Sequence, residues 1–122
     1  MSNKNINLGK WGESIAADYI ENNGYKILEK NFRTEYGEID VIAEKEGVIV
    51  FVEVKTRTGK QYGHPEGAIT PQKSLHMLES AQAYIQGHSD SAMEWRIDVI
   101  AIYKNKLGEY PKIAHFENAI QG

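Results

Sequence analysis

The pattern of apolar and polar positions divides the chain into two helices and five short strands. Apolar residues recur at helical spacing from Leu8 to about Asn23, and the glycine that follows provides a left-handed stop. A second helix is predicted from Pro71 to Gly87, because Thr70 is a favourable N-cap and proline is favoured at the first helical position. The remaining apolar segments indicate strands at residues 25–33, 39–44, 48–56, 95–103 and 112–116.

The third predicted strand is the most apolar segment of the chain. Val48–Val52 is apolar at every position, so we expect both faces of this strand to be covered, as in the centre of a sheet. The order helix-strand-strand-strand-helix-strand-strand favours an α/β fold with one mixed sheet flanked by helices. A length of 122 residues is expected to form a single domain, residues 1–122.

Charged residues interrupt two of the apolar strands at facing positions. Glu53 and Lys55 end the third strand and share one face, because side chains alternate along a strand. If Glu46-Gly47 is a two-residue turn, Asp40 of the second strand lies directly opposite Glu53, with Cβ atoms about 4.5–5.5 Å apart. Two carboxylates placed in this way repel each other, so a cation is expected between them. A hard divalent ion such as Mg²⁺ prefers such oxygen ligands.

Simpler interpretations of these carboxylates remain open from the sequence alone. The ordinary alternative is an ion pair in which Lys55 neutralises Glu53 or Asp40. Glu13, which lies beside the apolar stripe of the first helix, is either a further ligand or a solvated carboxylate. Asp98 interrupts the fourth strand, and pairing with Arg96 or with a backbone amide is the favoured interpretation.

Basic residues follow the third strand and open the second helix. Arg57 and Lys60 lie in the polar loop of residues 57–69, where they either contact phosphate or are simply solvated. Lys73 lies in the first turn of the second helix, where a cation is mildly unfavourable, which indicates a role other than helix stability. The four histidines (His64, His76, His88 and His115) lack metal-ligand spacing. The absence of cysteine excludes disulfides, a thiol nucleophile and a Cys-based zinc site.

Several of these segments, taken together, resemble the YraN family of small bacterial proteins. This family is expected to comprise endonucleases distantly related to archaeal Holliday junction resolvases. The resemblance extends from about Asn7 to Phe116, and the segments that carry it are Gly12-Glu13, Gly37–Ala43, Val50–Arg57, Lys73 and Arg96–Val99. It implies a restriction-endonuclease-like α-β-β-β-α-β core with the PD-(D/E)xK motif.

The resemblance also implies roles for individual residues. Asp40 corresponds to the acidic residue of the second strand, and Glu53 and Lys55 correspond to the acid and the lysine of the third. Glu13 corresponds to the glutamate in the first helix of resolvases. The chain departs from the motif at Ile39, which stands where the motif has proline.

The implied function is metal-dependent hydrolysis of phosphodiester bonds in DNA, with branched or structured DNA among the candidate substrates. Asp40, Glu53 and Glu13 would hold Mg²⁺ or Mn²⁺, and Lys55 would orient or activate the attacking water. The expected nucleic-acid contacts are Arg57, Lys60 and Lys73. Two alternatives remain: a non-cleaving nucleic-acid-binding or protein-interaction module, and a purely structural ion network. Related resolvases act as two-fold dimers, so a homodimer is also expected.

The net charge of −3 argues at first against a nucleic-acid partner. Residues 55–73, however, carry four basic side chains against one acidic side chain, a local charge of +3. The sequence therefore predicts weak, salt-sensitive binding through a small basic rim. Since no apolar run exceeds five residues and the first residues do not read as a signal peptide, we expect a cytoplasmic protein without a membrane partner.

Overall fold

The secondary structure follows the predicted order. A computed structural model describes residues 4–58, 69–88, 94–104 and 110–121. Its elements are α1 (Lys4–Asn22), β1 (Lys26–Thr34), β2 (Gly37–Lys45), β3 (Val48–Thr58), α2 (Pro71–Gly87), β4 (Glu94–Lys104) and β5 (Lys112–Ile120). The last strand continues to Ile120, four residues beyond its predicted end. In the described part of the chain, no helix is long and apolar enough to cross a membrane.

The five strands form one mixed sheet in the order β1-β2-β3-β4-β5. The β3–β4 pair is parallel, and the other three pairs are antiparallel. The parallel pair requires a crossover connection, which contains α2. The predicted α/β class is confirmed, and the sheet with its two helices is consistent with the restriction-endonuclease-like core.

The two helices cover opposite faces of the sheet, which explains why β3 is apolar at successive positions. Val50 and Val52 pack in the cluster that contains Ala16 and Ile20 of α1. Phe51, between them, packs in the cluster that contains Met77, Ala81 and Tyr84 of α2. Since neighbouring side chains point to opposite faces, β3 is buried from both sides, as the sequence predicted.

A tight turn sets the register between β2 and β3. Glu46 and Gly47 both have positive φ, 52° and 82°, as a two-residue type I′ hairpin requires. The strands pair from Lys45 with Val48 to Val41 with Val52, so the predicted turn and register are confirmed over this stretch.

Helix α1 passes close to the end of β3 at Gly12. A Cβ atom on Gly12 would overlap the Thr56 hydroxyl and lie 3.2 Å from the Thr56 Cβ. Glycine is therefore required by the close approach of the helix and the strand. This contact fixes the height of α1 over β3 one residue before Glu13.

We expect the Gly12→Ala substitution to destabilise the protein by about 1–3 kcal/mol, because overpacking forces the helix and the strand apart. Gly9→Ala is the matched control on the same helix, since nothing lies within 4 Å of its added Cβ. Its higher helix propensity should stabilise the fold by about 0.5–1 kcal/mol. Denaturant midpoints provide the measurement, and Thr56→Ala should partly restore the stability of Gly12→Ala. Equal stability of the two alanine variants would contradict the close approach.

Candidate functional site

Strand β2 becomes irregular at Asp40, where it separates from β3. Ile39 and Val41 are two residues apart and would share a face in a regular strand, but they pack in the clusters on opposite faces. The last ladder pair at this end is Val41 with Val52. Beyond it, the Asp40 carboxylate accepts a 2.8 Å hydrogen bond from the Val54 backbone N–H. A side chain thus satisfies a buried backbone donor and fixes the carboxylate against β3.

Direct ladder pairing of Asp40 with Glu53 is therefore not what the structure shows. The turn and register were predicted correctly, but extrapolation by one more pair assumed a regular strand. The two carboxylates still influence each other, because the charge of Glu53 contributes to the raised pKa of Asp40.

Glu53 is a buried carboxylate with two lysines on one of its oxygens. Its Oε2 lies 3.3 Å from the Lys55 Nζ and 3.5 Å from the Lys73 Nζ. The ordinary Lys55–Glu53 ion pair, left open from the sequence, is thus present. Its Oε1 is buried and has no hydrogen-bond partner among the described residues. Because an unpartnered buried carboxylate oxygen is costly, Glu53 retains the capacity for one further ligand.

The environment of Asp40 raises its pKa from 3.8 to about 7. Burial is the largest cause, and the negative charges of Glu53 and Glu13 act in the same direction. The Val54 N–H and the positive charge of Lys73 oppose the shift only in part. A cation between Asp40 and Glu53 would remove the repulsion, so the electrostatics of the pair fit a divalent ion.

Glu13 approaches this site from α1 and is held by a residue that sequence reasoning missed. Its Oε1 accepts a 3.2 Å hydrogen bond from the Asn31 amide nitrogen Nδ2. Glu13 contributes to the pKa of Asp40 and so faces the same region. In the part of the chain that the structure describes, however, no three His, Asp or Glu side chains are close enough to hold one ion. The structure brings Asp40 and Glu53 together, with Glu13 beside them.

Asn31 lies on β1 at the position opposite Asp40. The flanking pairs, Lys30 with Val41 and Phe32 with Ile39, keep the same register, but Asn31 and Asp40 do not themselves form a ladder pair. Asn31 has a φ of 53°, which asparagine tolerates better than most residues. In the sequence, the only indication of this role is an asparagine within a weakly predicted strand. The sequence does not show which residue its side chain contacts.

The three residues predicted to contact nucleic acid lie in different surroundings. Lys73 reaches Glu53 directly from the first turn of α2. Arg57 is partly buried near the end of β3, where its Nη1 donates to the Thr56 carbonyl at 3.3 Å. Lys60 and His64 lie outside the described residues.

A second buried carboxylate, Asp98, is fully satisfied. It accepts hydrogen bonds from the Arg96 Nε at 3.0 Å, the His115 Nε2 at 2.8 Å and the Asn118 backbone N–H at 2.9 Å. Although burial raises the pKa of Asp98, these three donors together hold it below its ordinary value. The predicted pairing of Asp98 with Arg96 or a backbone amide is confirmed, since both are present. His115 is a further hydrogen-bond partner of Asp98.

The fold and the site define an α/β protein with a restriction-endonuclease-like arrangement and a buried carboxylate–lysine cluster at the β2–β3 separation. The chain belongs to the uncharacterised protein family UPF0102, the YraN family, which it matches over residues 12–102. The predicted family is thereby confirmed.

Relatives of similar length are similar in sequence along most of the chain. A UPF0102 protein from Clostridium botulinum (strain Loch Maree / Type A3) is 46% identical over 118 residues, which covers 96% of each chain. One from Syntrophotalea carbinolica is 39% identical and covers 98% of this chain and 95% of its own. Among solved structures, Pyrococcus furiosus SfsA in complex with Ca²⁺ is similar at 15% identity and a TM-score of 0.36, over 90% of this chain and 62% of its own. That likeness is too weak to carry a conclusion.

The raised pKa of Asp40 predicts how stability depends on pH without divalent ions. Below about pH 4 the carboxyl is protonated in both the folded and the unfolded states, so it contributes nothing. Between about pH 4 and pH 7 only the unfolded chain ionises readily, so the contribution of Asp40 becomes increasingly destabilising as pH rises. Asp40→Asn should therefore be more stable than the wild type near pH 7, and the gap should narrow towards pH 4.

Denaturant unfolding in a chelator measures this difference, with the exposed Asp18→Asn as the matched control. Added Mg²⁺ should stabilise the wild type and leave Asp40→Asn unchanged. A constant gap across this pH range would contradict the assigned environment of Asp40.

Two substitutions separate the backbone and side-chain roles of Asn31. Asn31→Gly keeps the tolerance for positive φ and removes the amide, whereas Asn31→Asp replaces the donor to Glu13 with a negative charge. We expect both variants to fold. Addition of Mg²⁺ should raise the melting temperature of Asn31→Asp more than that of Asn31→Gly, because the added negative charge attracts the ion. Thermal unfolding with and without Mg²⁺ measures this difference. Identical changes of the melting temperature in the two variants would contradict the assignment of Asn31 to the site.

Proposed function

We propose that this protein is a metal-dependent endonuclease that hydrolyses phosphodiester bonds in DNA. The observation that carries the proposal is the buried Glu53 carboxylate, which lies close to Asp40 and 3.3 Å from the Lys55 ammonium and whose Oε1 has no hydrogen-bond partner among the described residues. Two acids beside a lysine, on the neighbouring strands β2 and β3, would provide what phosphoryl transfer to water requires, namely charge neutralisation and positioning.

Asp40 and Glu53 would hold Mg²⁺ or Mn²⁺, since both ions prefer oxygen ligands. Glu13, fixed by Asn31, would complete the site directly or through a water. When bound, the ion would lower the pKa of a coordinated water and offset charge on the phosphate. The Val54 N–H holds one oxygen of Asp40 in place, and its distance of 2.8 Å indicates a well-formed bond.

Lys55 would act on the phosphate and the attacking water. It shares a face of β3 with Glu53, so its ammonium remains beside the carboxylate without a conformational change. From this position it would orient the water and offset negative charge that develops on the phosphate. Arg57 and Lys60 would contact the nucleic-acid backbone.

A second candidate is a module that binds nucleic acid or a protein partner without cleaving. The Glu53 carboxylate already has two lysine partners, and a three-residue ligand group is not present among the described residues. A site neutralised by lysines could persist as a stable ion network and serve only for recognition.

Cleavage of supercoiled plasmid and of four-way branched DNA with Mg²⁺ or Mn²⁺ tests the proposal. Asp40→Asn and Lys55→Met should each reduce the rate by at least about 100-fold, because the first would remove a ligand of the ion and the second would remove the positive charge beside the phosphate. Lys26→Met, at the other end of the β1–β2 ladder, is the matched control and should cleave like the wild type.

Calorimetry on the same proteins separates the two candidates. Metal binding by the wild type that Asp40→Asn abolishes supports the endonuclease. Equal cleavage by all four proteins would indicate a contaminating nuclease and contradict the proposal. DNA binding that is indifferent to divalent ions, without cleavage, would favour the recognition module.

A further inference from the structure

Two ammonium groups share one carboxylate oxygen at the site. The Lys55 and Lys73 Nζ atoms lie 3.3 Å and 3.5 Å from the same Oε2 of Glu53. One lysine is enough to neutralise one carboxylate, so the second positive charge needs a separate explanation. Asp40 provides part of that explanation, because the positive charge of Lys73 also lowers the pKa of the Asp40 carboxyl.

The two lysines differ in how firmly they are held. The Lys55 side chain is 22% exposed and lies on β3 beside Glu53. The Lys73 side chain is 42% exposed and reaches the site from the first turn of α2. Its backbone is fixed, because the Thr70 side chain accepts a hydrogen bond from the Lys73 N–H and caps the helix. The flexible part of Lys73 is therefore its side chain, at a helix end that disfavours a cation.

Arrival of a divalent ion at Asp40 and Glu53 changes this balance. Two further positive charges would then lie beside both ammonium groups, and like charges at such distances repel strongly in a partly buried site. The more exposed and more flexible Lys73 is the group that can leave. A phosphodiester anion at the open side of the site would give the displaced ammonium a new partner.

We propose that Lys73 exchanges between Glu53 and a phosphate of the nucleic acid, and thereby makes the divalent ion and the nucleic acid bind cooperatively. This inference rests on the proposed function and adds the linkage between its two ligands. In the absence of nucleic acid, Lys73 competes with the ion for Glu53. When nucleic acid is present and Asp40 and Glu53 hold the ion, Lys73 would leave Glu53 and pair with the phosphate, so each ligand would strengthen the binding of the other.

Binding measurements with Ca²⁺ and a short DNA duplex test the exchange without a cleavage readout. For the wild type, Lys73→Met, Lys73→Arg and the control Lys26→Met, DNA affinity is measured by fluorescence anisotropy with chelator and with Ca²⁺. Calorimetry gives the Ca²⁺ affinity in the absence of DNA. Thermal unfolding checks that each variant folds, which we expect because Lys73→Met removes an unfavourable helix charge.

The expected signature has two parts of opposite sign. Lys73→Met should bind Ca²⁺ alone more tightly, by about two- to fivefold, because only Lys55 then remains beside Glu53 to compete with the ion. The tightening of DNA binding by Ca²⁺ should be smaller in Lys73→Met than in the wild type, by about fivefold or more. Lys73→Arg should retain most of the cooperativity, and Lys26→Met should behave like the wild type.

Each other outcome has a defined meaning. Ca²⁺ binding by the wild type with the same cooperativity in Lys73→Met would overturn the exchange and leave the proposed function standing. Weaker Ca²⁺ binding by Lys73→Met alone would also overturn it, because Lys73 would then support the ion site. If the wild type binds no divalent ion, the proposed function fails and the exchange fails with it.

Discussion

The site depends on one departure from regular β-structure, the separation of β2 from β3 at Asp40. Up to Val41 the two strands pair through their backbones, and beyond it the Asp40 carboxylate takes over as partner of the Val54 N–H. Glu53 lies beside this separation, and its buried Oε1 has no hydrogen-bond partner in the part of the chain that the structure describes. The bond from the Val54 N–H thus holds a second carboxylate close to Glu53.

The sequence predicted the parts of this arrangement that follow from periodicity and turn chemistry. The apolar run of β3, the Glu46-Gly47 turn and the register all depend on local rules, and the structure confirms them. The position of Asn31 could not be predicted, because its positive φ and its bond to Glu13 join elements that are distant in sequence. The contact of Lys73 with Glu53 likewise depends on how α2 packs, which no spacing in the sequence encodes.

The two carboxylate sites of the sheet show why burial alone does not identify function. Asp98 is completely buried, yet three donors hold its pKa below the ordinary value. The pKa of Asp40 is raised, because burial and the negative charges of Glu53 and Glu13 outweigh its hydrogen bond from the Val54 N–H and the positive charge of Lys73. The first carboxylate is complete within the fold. The second remains short of positive charge or donors, which is the property expected of a site built for an external ligand.

The contact of Gly12 with Thr56 restricts which residue can occupy position 12, beside Glu13. Because the backbone of α1 meets the Thr56 side chain there, any Cβ at this position would push the helix away from the sheet. The adjacent Glu13 would move with the helix and lose its reach towards Asp40. A residue without a functional group thus limits which sequences can keep the carboxylate of the next residue within reach of the site.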